Sequence, residues 1–153
     1  MLEYDFENSV GHWVWLTAHR FQRAMNSELQ PHGITFRQSQ VLFRLALDGE
    51  LSQVELADRL NLEPASLVPV LDRMERDGLL ARQNCCEDRR RKIIKLLPKA
   101  EIVWETIVAC ARRVRKRATR GMTSGQVRAL NEVLSVVCNN LAPAKTGVSA
   151  EEV

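Results

Sequence analysis

The chain has 153 residues, 45% of them apolar and 27% charged, with a formal net charge of +3. That is the size and composition of one globular domain with its own core. No apolar run approaches the ~18 residues of a membrane span, and the acidic start MLEYDFEN has no apolar signal core, so a soluble cytoplasmic protein without a membrane partner is expected.

Hydrophobic periodicity predicts a long first helix from residue 8 to about 30, with Val10, Trp13, Val14, Thr17, Phe21, Ala24, Met25 and Leu29 on one face. A second face carries His12, Trp15, Leu16, His19 and Arg20. Pro31 and Gly33 end the helix. Thr35 with Gln38 forms a T-x-x-Q capping box for a second helix, whose core side is Val41, Leu42, Leu45 and Ala46. Asp48-Gly49 marks a turn. Ser52 with Glu55 forms another box, opening a short helix patterned by Val54, Leu56, Ala57 and Leu60. Pro64 suits the first turn of the next helix. Leu67, Val70, Leu71 and Met74 are its buried stripe, and Gly78 its closing C′ glycine.

The period then changes. Residues 79–82 and 92–96 read as strands, the second because β-branched Ile93 and Ile94 lie between lysines. The loop between them is short and rich in arginine. From Arg82 to Lys95 there are six basic residues against two acidic ones, an excess larger than that of the whole chain. Pro98 opens a helix to about residue 120, with Val103, Ile107, Cys110 or Ala111, Val114 and Ala118 as its stripe. Thr123 with Gln126 caps a last helix carrying Val127, Leu130, Leu134, Val137 or Cys138, and Leu141. Ala129, Val133 and Val136 widen its apolar stripe beyond the needs of a monomer's surface helix. Residues 143–153 are small and polar, the composition of a disordered tail.

The fold expected is mainly α with a small β-wing: a winged helix-turn-helix flanked by long helices. A short helix beside a basic hairpin suits DNA, the helix fitting the major groove and the hairpin reaching backbone or minor groove.

The segments SQVELADRL at 52–60, PASLVPVLDRME at 64–75, GLLARQ at 78–83 and CCEDRRRKIIKL at 85–96, with LQPHGIT and QVLFRL upstream, resemble the MarR family of bacterial transcription regulators, nearest its SlyA-type branch. The similarity covers residues 8–142 as a single domain, with 35–97 as the winged unit. It implies a homodimer in which helices from 8–32 and 98–142 interleave. It also implies a near-palindromic double-stranded operator, and a repressor released by a small aromatic or amphipathic ligand such as an aromatic carboxylate or a phenol.

Within that resemblance, the outward residues Ala65, Ser66, Val68, Pro69, Asp72 and Arg73 form the face of a recognition helix. The DNA contacts expected from it come from Ala65, Ser66, Val68, Pro69 and Arg73. Pro69 stands where SlyA-type members have arginine, which shifts readout toward Ser66, Arg73 and the wing. Asp88 and Arg90 match the family's D-x-R: the carboxylate aims Arg90 at the minor groove, and Arg89 and Arg91 support it on phosphate. Ser39 and Gln53, near helix N-termini, are candidate phosphate contacts. A further departure is Leu97-Pro98, where the family has Leu-Thr with a capping threonine.

Other residues carry two readings. His12, Trp15, Leu16, His19 and Arg20 could hold a small aromatic acid, or could be packing. Cys85 and Cys86 could sense oxidation, arginines nearby favouring the thiolate, or could be inert; Cys110 and Cys138 lie on apolar stripes and read as core. The basic run at Arg112, Arg113, Arg115, Lys116, Arg117 and Arg120 reads as a solvated face complementing the helix C-terminal dipole, rather than as extra DNA contact. Besides the ligand-released regulator, a redox-sensing regulator and a winged-helix interaction or scaffold module without DNA function are alternatives. No G-x-S-x-G, Walker or G-x-G-x-x-G motif occurs, so no enzyme, cofactor or metal site is expected.

Overall fold

The computed structural model describes residues 5–84 and 92–142. Cys85, Cys86, Asp88, Arg89, Arg90 and Arg91 lie outside the described residues, as does the tail expected at 143–153. The chain divides into a unit ending at Ala118 and a second beginning at Thr119.

In the first unit, α1 (Val10–Leu29) starts two residues later than the periodicity suggests. Ser9 is the reason: its Oγ accepts the His12 N–H at 3.3 Å and so fixes the first turn. Only Met25 and Leu29 of α1 are buried; Val10, Trp13, Val14 and Phe21 of the expected apolar face are exposed. The 3-10 turn Gln30–His32 follows, and α2 (Phe36–Asp48) opens on the Thr35–Gln38 box, the Thr35 N–H donating to Gln38 Oε1 at 2.9 Å. Val41, Leu42 and Leu45 are buried as expected, whereas Ala46 is exposed.

A two-residue strand, β1 (Leu51–Ser52), precedes α3 (Gln53–Arg59). Ser52 both ends the strand and caps the helix, its N–H donating to Glu55 Oε2 at 2.8 Å. Val54, expected on the stripe, is exposed, while Leu56 and Ala57 are fully buried. Next, α4 (Pro64–Arg76) buries Leu67, Leu71 and Met74. It ends in a Schellman turn: the Gly78 N–H donates to the Glu75 carbonyl and the Leu79 N–H to the Met74 carbonyl, with Gly78 at φ 72°.

The strands β2 (Leu80–Asn84) and β3 (Lys92–Leu96) pair antiparallel, with Leu80 opposite Leu96 and Arg82 opposite Ile94. β1 adds to the far side of β3, Leu51 opposite Ile94, so the sheet order is β1-β3-β2. Then α5 (Lys99–Ala118) buries Ala100, Ile107, Cys110 and Val114; Ala118 is exposed. Cys110 is core, as expected. Its thiol donates to the Glu28 carbonyl at 3.3 Å, and Arg113 Nε meets Glu28 Oε2 at 2.6 Å, fastening α5 to α1. The Glu28 carboxylate holds the Arg113 guanidinium above its ordinary pKa.

Leu29, Leu42, Leu56, Leu67, Leu71, Met74, Leu80 and Ile94 are fully buried in one core that joins these helices to the sheet. Each contributes about 1.5–3 kcal/mol relative to exposure. Helix, helix, helix and hairpin on that core are a winged helix-turn-helix.

The second unit holds α6 (Ser124–Asn140), capped by the expected Thr123–Gln126 box. None of its residues is buried, and Leu130, Val133, Leu134, Val136 and, just beyond it, Leu141 are exposed. Cys138, read from the sequence as core, is exposed.

Candidate nucleic-acid interface

α4 divides cleanly by burial. With Leu67, Leu71 and Met74 inward, Ala65, Ser66, Val68, Pro69, Asp72 and Arg73 are all exposed, as a helix of period 3.6 requires. Pro69 lies inside the helix and cannot donate to the carbonyl of Ala65, yet the helix runs on to Arg76. Among the described residues Arg73 pairs with Asp77 alone, at 3.9 Å, and its side chain is 57% exposed, so it keeps most of its reach.

Asp72 is not simply an outward residue. Its Oδ1 lies 2.6 Å from Arg82 Nη1 of β2, and Glu75 Oε2 lies 2.8 Å from the same nitrogen. Glu75 Oε1 also accepts the Arg82 backbone N–H at 2.9 Å. Two carboxylates three residues apart on one helix thus converge on one guanidinium. The Arg82 side chain is only 17% exposed. Its Nε is buried without a partner among the described residues, which costs about 1–3 kcal/mol. Sequence reasoning counted Arg82 as one more basic residue; the signal it passed over is an acid pair at 72 and 75 facing an arginine on the next strand.

At the outer end of the hairpin Lys92 Nζ donates to Asn84 Oδ1 at 2.6 Å, closing the last strand pair before residues 85–91. Gln53 is the first residue of α3 and half-buried. Ser39 does not fit its expected role. It is 4% exposed and its hydroxyl donates to the Phe36 carbonyl at 2.7 Å, so it is turned into the protein rather than toward a phosphate.

The proposed ligand residues lie on the N-terminal half of α1. The Trp15 and His19 rings are 4.3 Å apart, and His19 Nδ1 lies 3.1 Å from the Trp15 carbonyl. His12, Trp15, Leu16, His19 and Arg20 line neither of two apolar clefts in this unit. The larger, of about 470 Å³, lies between α2, the end of β3 and the start of α5, and Leu42, Leu96, Leu97, Pro98 and Trp104 line it with Lys95 and Glu101. The other, of about 300 Å³, lies among α1, α2 and α5, lined by Phe21, Met25, Phe36, Phe43, Ile107 and again Trp104. Trp104 was not singled out from the sequence; its place in the second turn of α5, one residue after Val103, was the available signal. Among the described residues no three His, Cys, Asp or Glu side chains gather as metal ligands, and no helix is long and apolar enough to cross a membrane.

The fold is that of a winged helix-turn-helix protein, with one exposed face of α4 beside the β2–β3 hairpin. Residues 34–92, from just before α2 to the start of β3, match the MarR family. Solved structures share the fold over most of the chain. A mutant MarR from E. coli complexed with operator DNA is 24% identical, with a TM-score of 0.74, covering 84% of this chain and 92% of that one. BpsR of Bordetella bronchiseptica, whose DNA binding is regulated by 6-hydroxynicotinic acid, is 22% identical, with a TM-score of 0.77 and coverages of 90% and 99%. CouR from Rhodococcus jostii RHA1, bound to p-coumaroyl-CoA, is 22% identical, with a TM-score of 0.74 and coverages of 88% and 95%.

Proposed function

We propose that this protein is a cytoplasmic, homodimeric, sequence-specific DNA-binding transcription regulator of MarR type, nearest the SlyA-type branch, acting as a repressor that a small aromatic or amphipathic molecule releases. The observation that carries the reading is the exposed face of α4 fastened to the wing hairpin inside the MarR-matched segment. In it, Ala65, Ser66, Val68, Pro69 and Arg73 enter the major groove. Arg90, oriented by Asp88, enters the adjacent minor groove. Arg89, Arg91 and Gln53 hold phosphates and set the register.

Exposed apolar residues on α6 and on the first half of α1 supply what a second copy would cover. A two-fold dimer carries two α4 helices and so requires two half-sites about one helical turn apart. The effector reading rests on the two clefts that share Trp104 and on two fold relatives that respond to or bind aromatic molecules. A ligand there touches the root of the wing at Leu96 and Leu97. It releases DNA if it favours an arrangement in which the two α4 helices miss the half-site spacing.

Selection of genomic fragments by the purified protein, followed by salt titration of the winner beside a random duplex, tests the proposal. A winner bound at least ~10³-fold tighter than the random duplex, with log affinity falling linearly with log salt, is the expected result. Equal or negligible binding of all duplexes overturns it.

A further inference from the structure

We propose that Arg82 is a positioning residue that sets the sequence specificity of this protein by locking the wing to the recognition helix, without itself touching DNA. The inference rests on the DNA-binding reading above. Arg82 Nη1 lies 2.6 Å from Asp72 and 2.8 Å from Glu75 on α4. Its own backbone N–H is held by Glu75 at 2.9 Å, and its Nη2 lies 3.5 Å from the Val68 carbonyl. One side chain of β2 therefore reaches α4 at three successive points along its length. Arg82 also pairs with Ile94 only two pairs inward of Asn84–Lys92, the pair that precedes residues 85–91, so it fixes the hairpin close to its outer end.

A protein that reads a major groove with one element and the neighbouring minor groove with another needs a fixed offset between them. A wing that swings relative to α4 still finds phosphates, but it no longer finds them in register with the bases under α4. Arg82 is also the cation that neutralises Asp72 and Glu75. Asp72, 55% exposed on the reading face, would otherwise turn a bare carboxylate toward the duplex. Most of the Arg82 side chain is covered by these partners, which separates it from Arg73 on the open face.

The test compares wild type, Arg82→Gln and Asp72→Ala on the selected operator and on a random duplex, each across a salt series. A positioning role predicts that Arg82→Gln lowers the operator-to-random affinity ratio at least ~10-fold while the salt slope stays that of wild type. Arg82→Lys, which keeps the charge but not the planar fork, recovers part of the ratio. Asp72→Ala is an exposed change that leaves the core untouched, so it keeps the test open if Arg82→Gln fails to fold. It lowers the ratio too, by weakening operator binding while random-duplex binding holds or rises. An unchanged ratio in the folded variants overturns the inference. So does a salt slope reduced by about one, because that marks Arg82 as a phosphate contact. Failure of the wild type to discriminate any duplex overturns the DNA reading itself and is visible before any variant is made.

Discussion

Phe43 of α2 and Trp104 of α5 lie with ring centroids 6.5 Å apart and planes inclined by 37°, an offset pair on the wall of the smaller cleft. The indole of Trp104 lines the larger cleft as well. Anything apolar entering either space meets the same ring, so Trp104 is the natural reporter for a ligand. The chain has two other tryptophans, Trp13 and Trp15, both on α1. Titration with hydroxylated aromatic acids, 6-hydroxynicotinic acid among them, is expected to quench tryptophan emission in the wild type. Trp104→Phe retains an aromatic ring, so DNA binding is expected to survive while the quench is lost. A quench of equal size in the variant would place the ligand elsewhere, with the exposed Trp15–His19 pair as the next site to substitute.

The exposed stripe of α6 leads to a second expectation. Leu130, Val133 and Leu134 are each more than a third exposed, on a helix with no buried residue. A carboxylate on such a stripe costs little in a monomer and several kcal/mol where a second copy covers it. Leu134→Asp is expected to keep its helical circular dichroism but elute as a monomer by light scattering. Operator affinity should fall at least ~10-fold, since one half-site alone remains. A variant that stays dimeric moves the interface away from α6.

Much of this arrangement was legible in the sequence, for reasons that are local. The boxes at Thr35–Gln38, Ser52–Glu55 and Thr123–Gln126 announce three helix starts because each is closed within four residues. Gly78 announces a helix end because only a left-handed residue completes the turn. Most of what stayed hidden depends on partners distant in the chain. β1 has two residues and exists only because Leu51 and Ser52 meet Ile94 and Ile93 of β3. Val54 satisfies the helical period but faces out, since the period fixes an angle and not which side the core lies on. Ser39 sits near a helix start, as a phosphate-binding residue would, but its hydroxyl is taken by Phe36 three residues back. Arg82 looks like wing charge until its two carboxylates are seen.

Pro69 carries a stability prediction. Within α4 it withholds one helical hydrogen bond and crowds the carbonyl of Ala65, at a cost of order 3 kcal/mol for a helix interior. Against this, proline restricts the unfolded chain, an advantage of about 0.4–1 kcal/mol that a substitution gives up. Pro69→Ala is therefore expected to stabilise the fold by about 2–2.5 kcal/mol, seen as a higher denaturant midpoint at unchanged slope. The side chain is exposed, so no core contact is lost. A lower midpoint would mean that α4 is bent at residue 69 to fit its neighbours and that alanine straightens it against them.

Arg90 carries the sharpest functional prediction. It lies in the segment 85–91 that joins Asn84 to Lys92, with Asp88 two residues before it. If Arg90 enters the minor groove and Arg89 and Arg91 only meet phosphate, the three substitutions separate. Arg89→Ala and Arg91→Ala should weaken operator and random duplex alike, each lowering the salt slope by about one. Arg90→Ala should weaken the operator by about 1–3 kcal/mol more than the random duplex, because groove width and its negative potential depend on sequence. Asp88→Asn should resemble a partial Arg90→Ala, since it removes the carboxylate that aims the guanidinium while leaving the arginine in place. Equal losses on both duplexes for all four variants would reduce the wing to a phosphate clamp. The whole of sequence readout would then fall to the exposed face of α4, where Ser66 and Arg73 can hydrogen-bond base edges and Ala65, Val68 and Pro69 can meet thymine methyls.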